Sequence, residues 1–329
     1  MSVKDRGEVE LKKIQRHKVT MDPGKPIYLS TYAYFEIEFA NARRYEAGIL
    51  QGVDPEFLHQ YRVCLRRNRA IISLLKDLYP AENKKRLSDL LKQLMQETNL
   101  LRDLDVYLMK SNTFFRQVSQ KHHNGLALFF DDIQLRRKTE LKRLCGWLNS
   151  DLYRRNCQDI EAHIHAIQVN VPPQSASTSC EVYGRQAVWK RYQKVRVRAG
   201  DINEQSKDTD IHQLRIDCKK LRYLLEYFEP LFKTNEYQRE LNTLKHLQNY
   251  LGDFNDSSVQ QDFLLRYLAR KKENSHSYKA VSQLLRITQR EHQKSRVHVL
   301  QQLDIFLAVQ TESDYEALCQ LPASRPLLH

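Results

Sequence analysis

Apolar residues recur at spacings of three and four along most of the chain, and strict alternation is almost absent. In residues 27–50, Tyr28, Tyr32, Phe35 and Phe39 set that period, and Gly52 closes the predicted helix. Asp54-Pro55-Glu56 then supplies an N-cap, a first-turn proline and an early acid. The second helix is predicted to reach Leu78 and stop at Pro80, and a third covers about 82–109. Long amphipathic stretches follow over 126–169, with a break at Asn149-Ser150-Asp151. After residue 180 helices are predicted over 183–199, 209–229, 235–251, 256–272 and 276–309, with a short one near 313–320. No strand is predicted, so the fold class is all-α.

The pattern also marks boundaries. Residues 1–25 read as a polar lead-in closed by the Asp22-Pro23-Gly24 turn. Residues 171–180, running through Pro172-Pro173-Gln174-Ser175, are the one low-complexity linker. They separate two helical halves, 27–170 and 181–320.

Composition agrees and narrows the function classes. Across 329 residues there are only 9 Gly and 9 Pro, while 41% of positions are hydrophobic, enough for a core. Six scattered cysteines form no C-x-x-C and no Cys/His zinc spacing. Met1–Lys18 has no apolar stretch of a signal peptide, and no run approaches a membrane span. The expectation is a cytoplasmic protein without cofactor or metal. Its net charge of +13 favours a polyanionic partner without saying which.

An internal repeat turns that global charge into positions. At an offset of 153, residues 58–106 align without gaps on 211–259, with 11 identities in 49 positions. Composition alone gives roughly three. The matches are mostly not apolar. His59, Arg62, Arg66 and Arg69 correspond to His212, Arg215, Lys219 and Arg222. At about 100° per residue, each set lies within an arc of roughly 80°. Each half therefore carries a cationic stripe about three turns long. Charges so placed repel unless carboxylates or a bound anion compensate. Asp103 and Asp105 in one half, and Asp253 and Asp256 in the other, are candidates for orienting the arginines. Arg67 and Lys220, about 80° from their histidines, are second-tier candidates, as are Arg43 and Arg196, which also correspond at offset 153.

These residues resemble the CHAD family, the conserved histidine α-helical domain. The resemblance rests on His59-x-x-Arg62-Val63 with Arg66-Arg67-x-Arg69, and on His212-x-x-Arg215-Ile216 with Lys219-Lys220-Leu221-Arg222-Tyr223. Arg102-Asp103-Leu104-Asp105-Val106 and Leu251-Gly252-x-x-Asn255-Asp256-x-x-Val259 support it, and it covers about 27–310. It implies two pseudo-symmetric four-helix halves and a basic groove or pore between them that binds inorganic polyphosphate, with sulfate or phosphate ions as mimics. Family members often accompany a triphosphate-tunnel domain marked by E-x-E-x-K. Glu8-Val9-Glu10-Leu11-Lys12 fits that mark, but the roughly 14 residues before the first helix leave no room for a barrel. The match is read as chance or a remnant, without catalysis.

Two other function classes stay open. Lys190, Arg191, Lys194 and Arg198 surround Trp189 and Tyr192, a mixture suited to RNA or DNA, or to a core face with wet bases beside it. A polyphosphate hydrolase or kinase would need Mg²⁺ at the aspartates, whereas carboxylates beside arginines more often form ion pairs. No P-loop, H-E-x-x-H, G-x-S-x-G or His-Asp dipeptide is present. For His59 and His212, a phosphate donor strengthened by protonation stands against a structural histidine bonded to backbone or carboxylate. The leading expectation is non-catalytic polyphosphate binding, with granule association as one setting.

Overall fold

The computed structural model describes residues 20–75, 78–169, 178–232 and 234–320. Glu8–Lys12 and most of the predicted linker, residues 171–177, lie outside them. Among the described residues the chain is helical and contains no strand. The helices form two compact units.

The first unit comprises Lys25–Ser111 and Phe130–Thr178. Helix α1 (Ile27–Arg44) gives way at Tyr45 to the short α2 (Glu46–Gln51), so the single predicted helix is two. Gly52 ends α2 in the left-handed region at φ 69°, where a side chain would be strained. Helix α3 (Pro55–Leu74) starts as predicted, with the Asp54 side chain accepting the Glu56 N–H at 2.8 Å. It stops four residues earlier than expected. Asp54→Ala is expected to cost about 1 kcal/mol of stability, measurable by urea denaturation. Helices α4 (Ala81–Glu97) and α5 (Asn99–Met109) replace the one predicted over 82–109. Helix α8 (Asp151–Val169) closes a ring in which α1 packs on α3, α3 on α4, α4 on α8 and α8 on α1. Phe35, Phe39, Tyr61, Leu65, Ile72, Leu91, Leu94 and Ile160 fill it.

The second unit comprises Met21–Gly24, Asn112–Phe129 and the chain from Ser179 onward. Its ring is built from α9 (Cys180–Gly200), α10 (Asp208–Tyr227), α11 (Asn235–Leu268) and α13 (Val309–Cys319). Ser179 caps α9, Thr234 caps α11, and Pro230 sits in a single 3-10 turn just after α10. Tyr192 and Tyr315 stack at 3.9 Å in the core. Helix α12 (His276–Phe306) runs against α11.

Two differences from the sequence reading have clear causes. The predicted break between 251 and 256 does not occur, and α11 is continuous over 34 residues. Gly252 costs about 1 kcal/mol in a helix interior, but Leu251 and Phe254 on either side are buried and hold the helix straight through. Residues 112–129, placed by sequence in the first half, belong to the second unit. Helix α6 (Ser111–Gln117) and the start of α7 (His123–Leu148) dock on α12: Gln117 donates to Glu291 at 2.6 Å, and the Ser119 hydroxyl donates to Gln283 at 2.8 Å. A Cβ at Gly125 would overlap the His276 carbonyl. Gly125→Ala is therefore expected to destabilise by about 2 kcal/mol or more, read as a lowered urea midpoint.

Helix bounds recur at the offset found in the sequence. Shifting α3 by 153 gives the bounds of α10, and shifting α7 gives the start of α12.

Candidate functional site

In the first unit the predicted stripe lies on α3, and all four of its residues are partly buried. The packing of Leu65 and Ile72 into the ring fixes the roll of α3 and turns the stripe towards α4 and α5. Arg62 reaches the junction of those helices. Its Nη1 donates to the Met95 carbonyl at 2.9 Å and to the Thr98 hydroxyl at 2.6 Å. The Thr98 hydroxyl also donates to Met95 O at 2.7 Å. With that carbonyl so occupied, the helix breaks at Thr98. Arg69 places Nη1 3.4 Å from the Met95 sulfur.

Burial and like charge act together on these groups. Burial pushes the Arg62 guanidinium down to about 10, and Arg66 and Arg102 add to the shift while Asp103 opposes it. Burial also lowers the His59 imidazole from its ordinary value, and Arg102, Arg66 and Arg62 lower it further against Glu56. Arg102 is lowered by burial too, opposed mainly by Asp105 and Glu56, and its Nη1 is buried without a hydrogen-bond partner among the described residues. Burial lowers Arg69, with Asp89 opposing. A histidine and three arginines thus share one field.

In the second unit the stripe lies on α10. His212 is exposed, and its Nδ1 lies 2.7 Å from Asn255 Oδ1 on α11. Arg222 pairs with Glu226 one turn on, at 3.1 Å. Arg215 and Lys219 are partly buried, while Asp253 and Asp256 are exposed on α11. His59 faces Arg102 and His212 faces Asn255, and these partners are themselves 153 apart. Both fell within motifs legible in the sequence, but neither was picked as a site residue, because an arginine aligned with an asparagine counts as a mismatch.

Other candidates lie elsewhere. Asp105 is buried and accepts from Arg137 Nε at 2.6 Å, so its direct partner comes from α7 and not from the stripe. Arg43 pairs with Glu46 and Glu161, and Arg196 with Glu312 at 2.6 Å. Arg43 and Arg196 therefore each engage the fourth helix of their ring. Arg67 is partly buried on α3, and Lys220 joins a separate group with Arg191, Lys194 and the buried Asp217. Tyr192 is core rather than a stacking platform, and Trp189 leans on it at 5.7 Å.

One arrangement resembles a catalytic triad. Ser257 Oγ lies 2.9 Å from His292 Nδ1, and His292 Nε2 lies 2.9 Å from Asp208 Oδ2. The serine is buried and its hydroxyl donates to the Phe254 carbonyl at 2.7 Å. Arg296 brackets the same aspartate at 2.9 Å. The group ties α10, α11 and α12 together, with its serine buried. Among the described residues no three His, Cys, Asp or Glu side chains gather as metal ligands, and no helix is long and apolar enough to cross a membrane.

Comparison with known proteins places this geometry. The structure is similar to the crystal structure of the CHAD domain from the plant Ricinus communis, at 23% identity and a TM-score of 0.67, covering 94% of this chain and 97% of that one. It is also similar to PptA from Streptomyces chartreusis, at 14% identity and a TM-score of 0.65, covering 84% and 99%. No curated protein matches the chain. The family model for the CHAD domain matches residues 33–265, well over half of the sequence, and the chain belongs to that family.

Proposed function

We propose that the chain binds inorganic polyphosphate without turning it over, through the stripes on α3 and α10. The observation that carries this reading is the crowd of partly buried cations around His59: Arg62, Arg66 and Arg102 all lower its imidazole, and a buried guanidinium nitrogen of Arg102 has no hydrogen-bond partner among the described residues. Such a field is relieved by phosphate oxygens, which suit guanidinium forks. The first half is the more concentrated site, because His212 is exposed and already bonded to an amide.

The test is a titration with size-fractionated polyphosphate. Saturable binding is expected, falling about a thousandfold between roughly 50 and 200 mM salt if about six phosphates are contacted. Polyphosphate is expected to outcompete RNA at equal phosphate concentration. Incubation with Mg²⁺ is expected to release no phosphate. Absence of saturable binding at moderate salt would sink the reading.

The pH dependence has a defined sign. His59 is lowered below its ordinary value in the unliganded protein, so it is neutral at pH 7. A polyanion favours the imidazolium and raises that value. Binding should therefore take up a proton, and affinity should rise as pH falls from about 7 to about 5. His59→Gln is expected to flatten that slope; titrations at a series of pH values check it.

A further inference from the structure

Three cations of the second unit pair with one buried carboxylate, and a fourth lies in the same field. Asp217 on α10 is 1% exposed; it receives Arg198 Nε at 2.8 Å and Arg191 Nη1 at 3.3 Å, with Lys194 Nζ at 3.9 Å. Lys220, one turn along α10, lies in the same field. Burial lowers its ammonium from the ordinary value, Arg191 and Lys194 add to that, and Asp217 opposes it. Among the described residues, Asp217 is the one carboxylate acting on Arg191 or on Lys220. Arg191, Lys194, Arg198 and Lys220 are thus set against a single negative charge.

This group is not part of the α10 stripe. On a helix of about 100° per residue, Asp217 sits about 140° and Lys220 about 80° from His212, both on the side away from Arg215 and Lys219. The stripe looks towards Asn255 on α11, whereas Asp217 looks towards α9. At the offset of 153 the first half places Glu38, Asn41, Tyr45, Cys64 and Arg67. Glu38, Asn41, Tyr45 and Cys64 are buried, so no such group of cations forms there.

An ion-pair network needs one or two cations for a buried aspartate, and three surplus charges held together cost stability. The surplus also faces water: Lys194 is 55% exposed and Arg198 is 35% exposed. Arg198 spends only Nε on Asp217, and its two terminal nitrogens have no partner among the described residues. Asp217 orients the forks, and Lys194 and Arg198 keep contact with solvent.

We propose that Arg191, Lys194, Arg198 and Lys220 form a second anion site that takes a compact phosphate carrying two or more charges. Convergence on one point, instead of a row three turns long, favours a compact anion over an extended chain. The site goes beyond the polyphosphate reading and stands without it.

Inorganic pyrophosphate is the probe, titrated calorimetrically into the full chain at low salt. One site per chain is expected. Lys194→Glu leaves both Asp217–arginine pairs in place and is expected to weaken pyrophosphate by about thirtyfold, with Lys194→Gln intermediate. Arg66→Gln with Lys219→Gln, which weakens the stripes, is expected to leave pyrophosphate affinity within about threefold. Unchanged affinity in Lys194→Glu overturns the proposal, and so does loss of pyrophosphate in the stripe variant, which would place the anion on the stripe. A parallel titration with long-chain polyphosphate separates the two readings: polyphosphate binding indifferent to the stripe variant defeats the stripe reading alone.

Discussion

Reversing charge at Arg66 and Lys219 together is expected to lower polyphosphate affinity by about a thousandfold while leaving the helical circular dichroism unchanged. Hydrogen bonds to charged groups contribute about 1.5–3 kcal/mol each, and every 1.4 kcal/mol is about tenfold in affinity. Two reversals remove two attractions and add two repulsions, so a thousandfold is a moderate expectation. Arg66 is a better target than Arg62. The Arg62 guanidinium is committed to Met95 O and Thr98 Oγ1, and its removal would also strip the α4–α5 junction of a donor. Arg62→Gln should therefore lose both binding and about 1–2 kcal/mol of stability. Single reversals are expected to be unequal: Arg66→Glu should cost more than Lys219→Glu, because Arg66 acts on His59, Arg62 and Arg102 together. Affinity of the double variant within about threefold of the wild type would remove the stripes from the site.

The parts legible from sequence are those whose causes are local. Asp54-Pro55-Glu56 carries its own cap, and α3 begins there. The three- and four-residue period places Leu65 and Ile72 in the core, and the stripe follows on another face. What escaped depends on residues far apart in the chain. The break at Thr98 is set partly by Arg62, 36 residues earlier, which takes the Met95 carbonyl. Locally, the Thr98 hydroxyl takes the same carbonyl. Conversely, Gly252 looks like a break and is not, because Leu251 and Phe254 are packed on either side of it. Matching residues at the offset mark equivalent positions but not the face they serve. Arg43 and Arg196 match, yet each is held by a glutamate of a helix more than a hundred residues further on. Arg102 and Asn255 occupy equivalent positions with unlike chemistry, so only geometry shows that each attends its histidine.

The largest stability effect is expected at Arg137, outside either stripe. Asp105 is 2% exposed and is held by Arg137 Nε, while Arg137 Nη2 reaches the Gly52 carbonyl at 3.4 Å. Burial already raises the Asp105 carboxyl above its ordinary value, and Arg137 first, then Arg102, pull it back. Arg137→Met removes the direct partner and leaves a buried charge, which costs about 3–5 kcal/mol when one member of such a pair is deleted. The sign with pH follows from the raised carboxyl. A group whose folded value exceeds its unfolded value favours folding in its protonated form, so the charge is a burden above that value and none below it. The variant should be most impaired at pH 7 and recover as the pH falls through the raised value, where Asp105 becomes a neutral acid. Asp105→Asn added to Arg137→Met should restore much of the loss at pH 7, because no charge is then stranded. Urea denaturation of the three proteins over a series of pH values from 7 downward measures this. A loss equal at every pH and unrelieved in the double variant would mean that Arg137 acts through packing of its stem and not through the buried carboxylate.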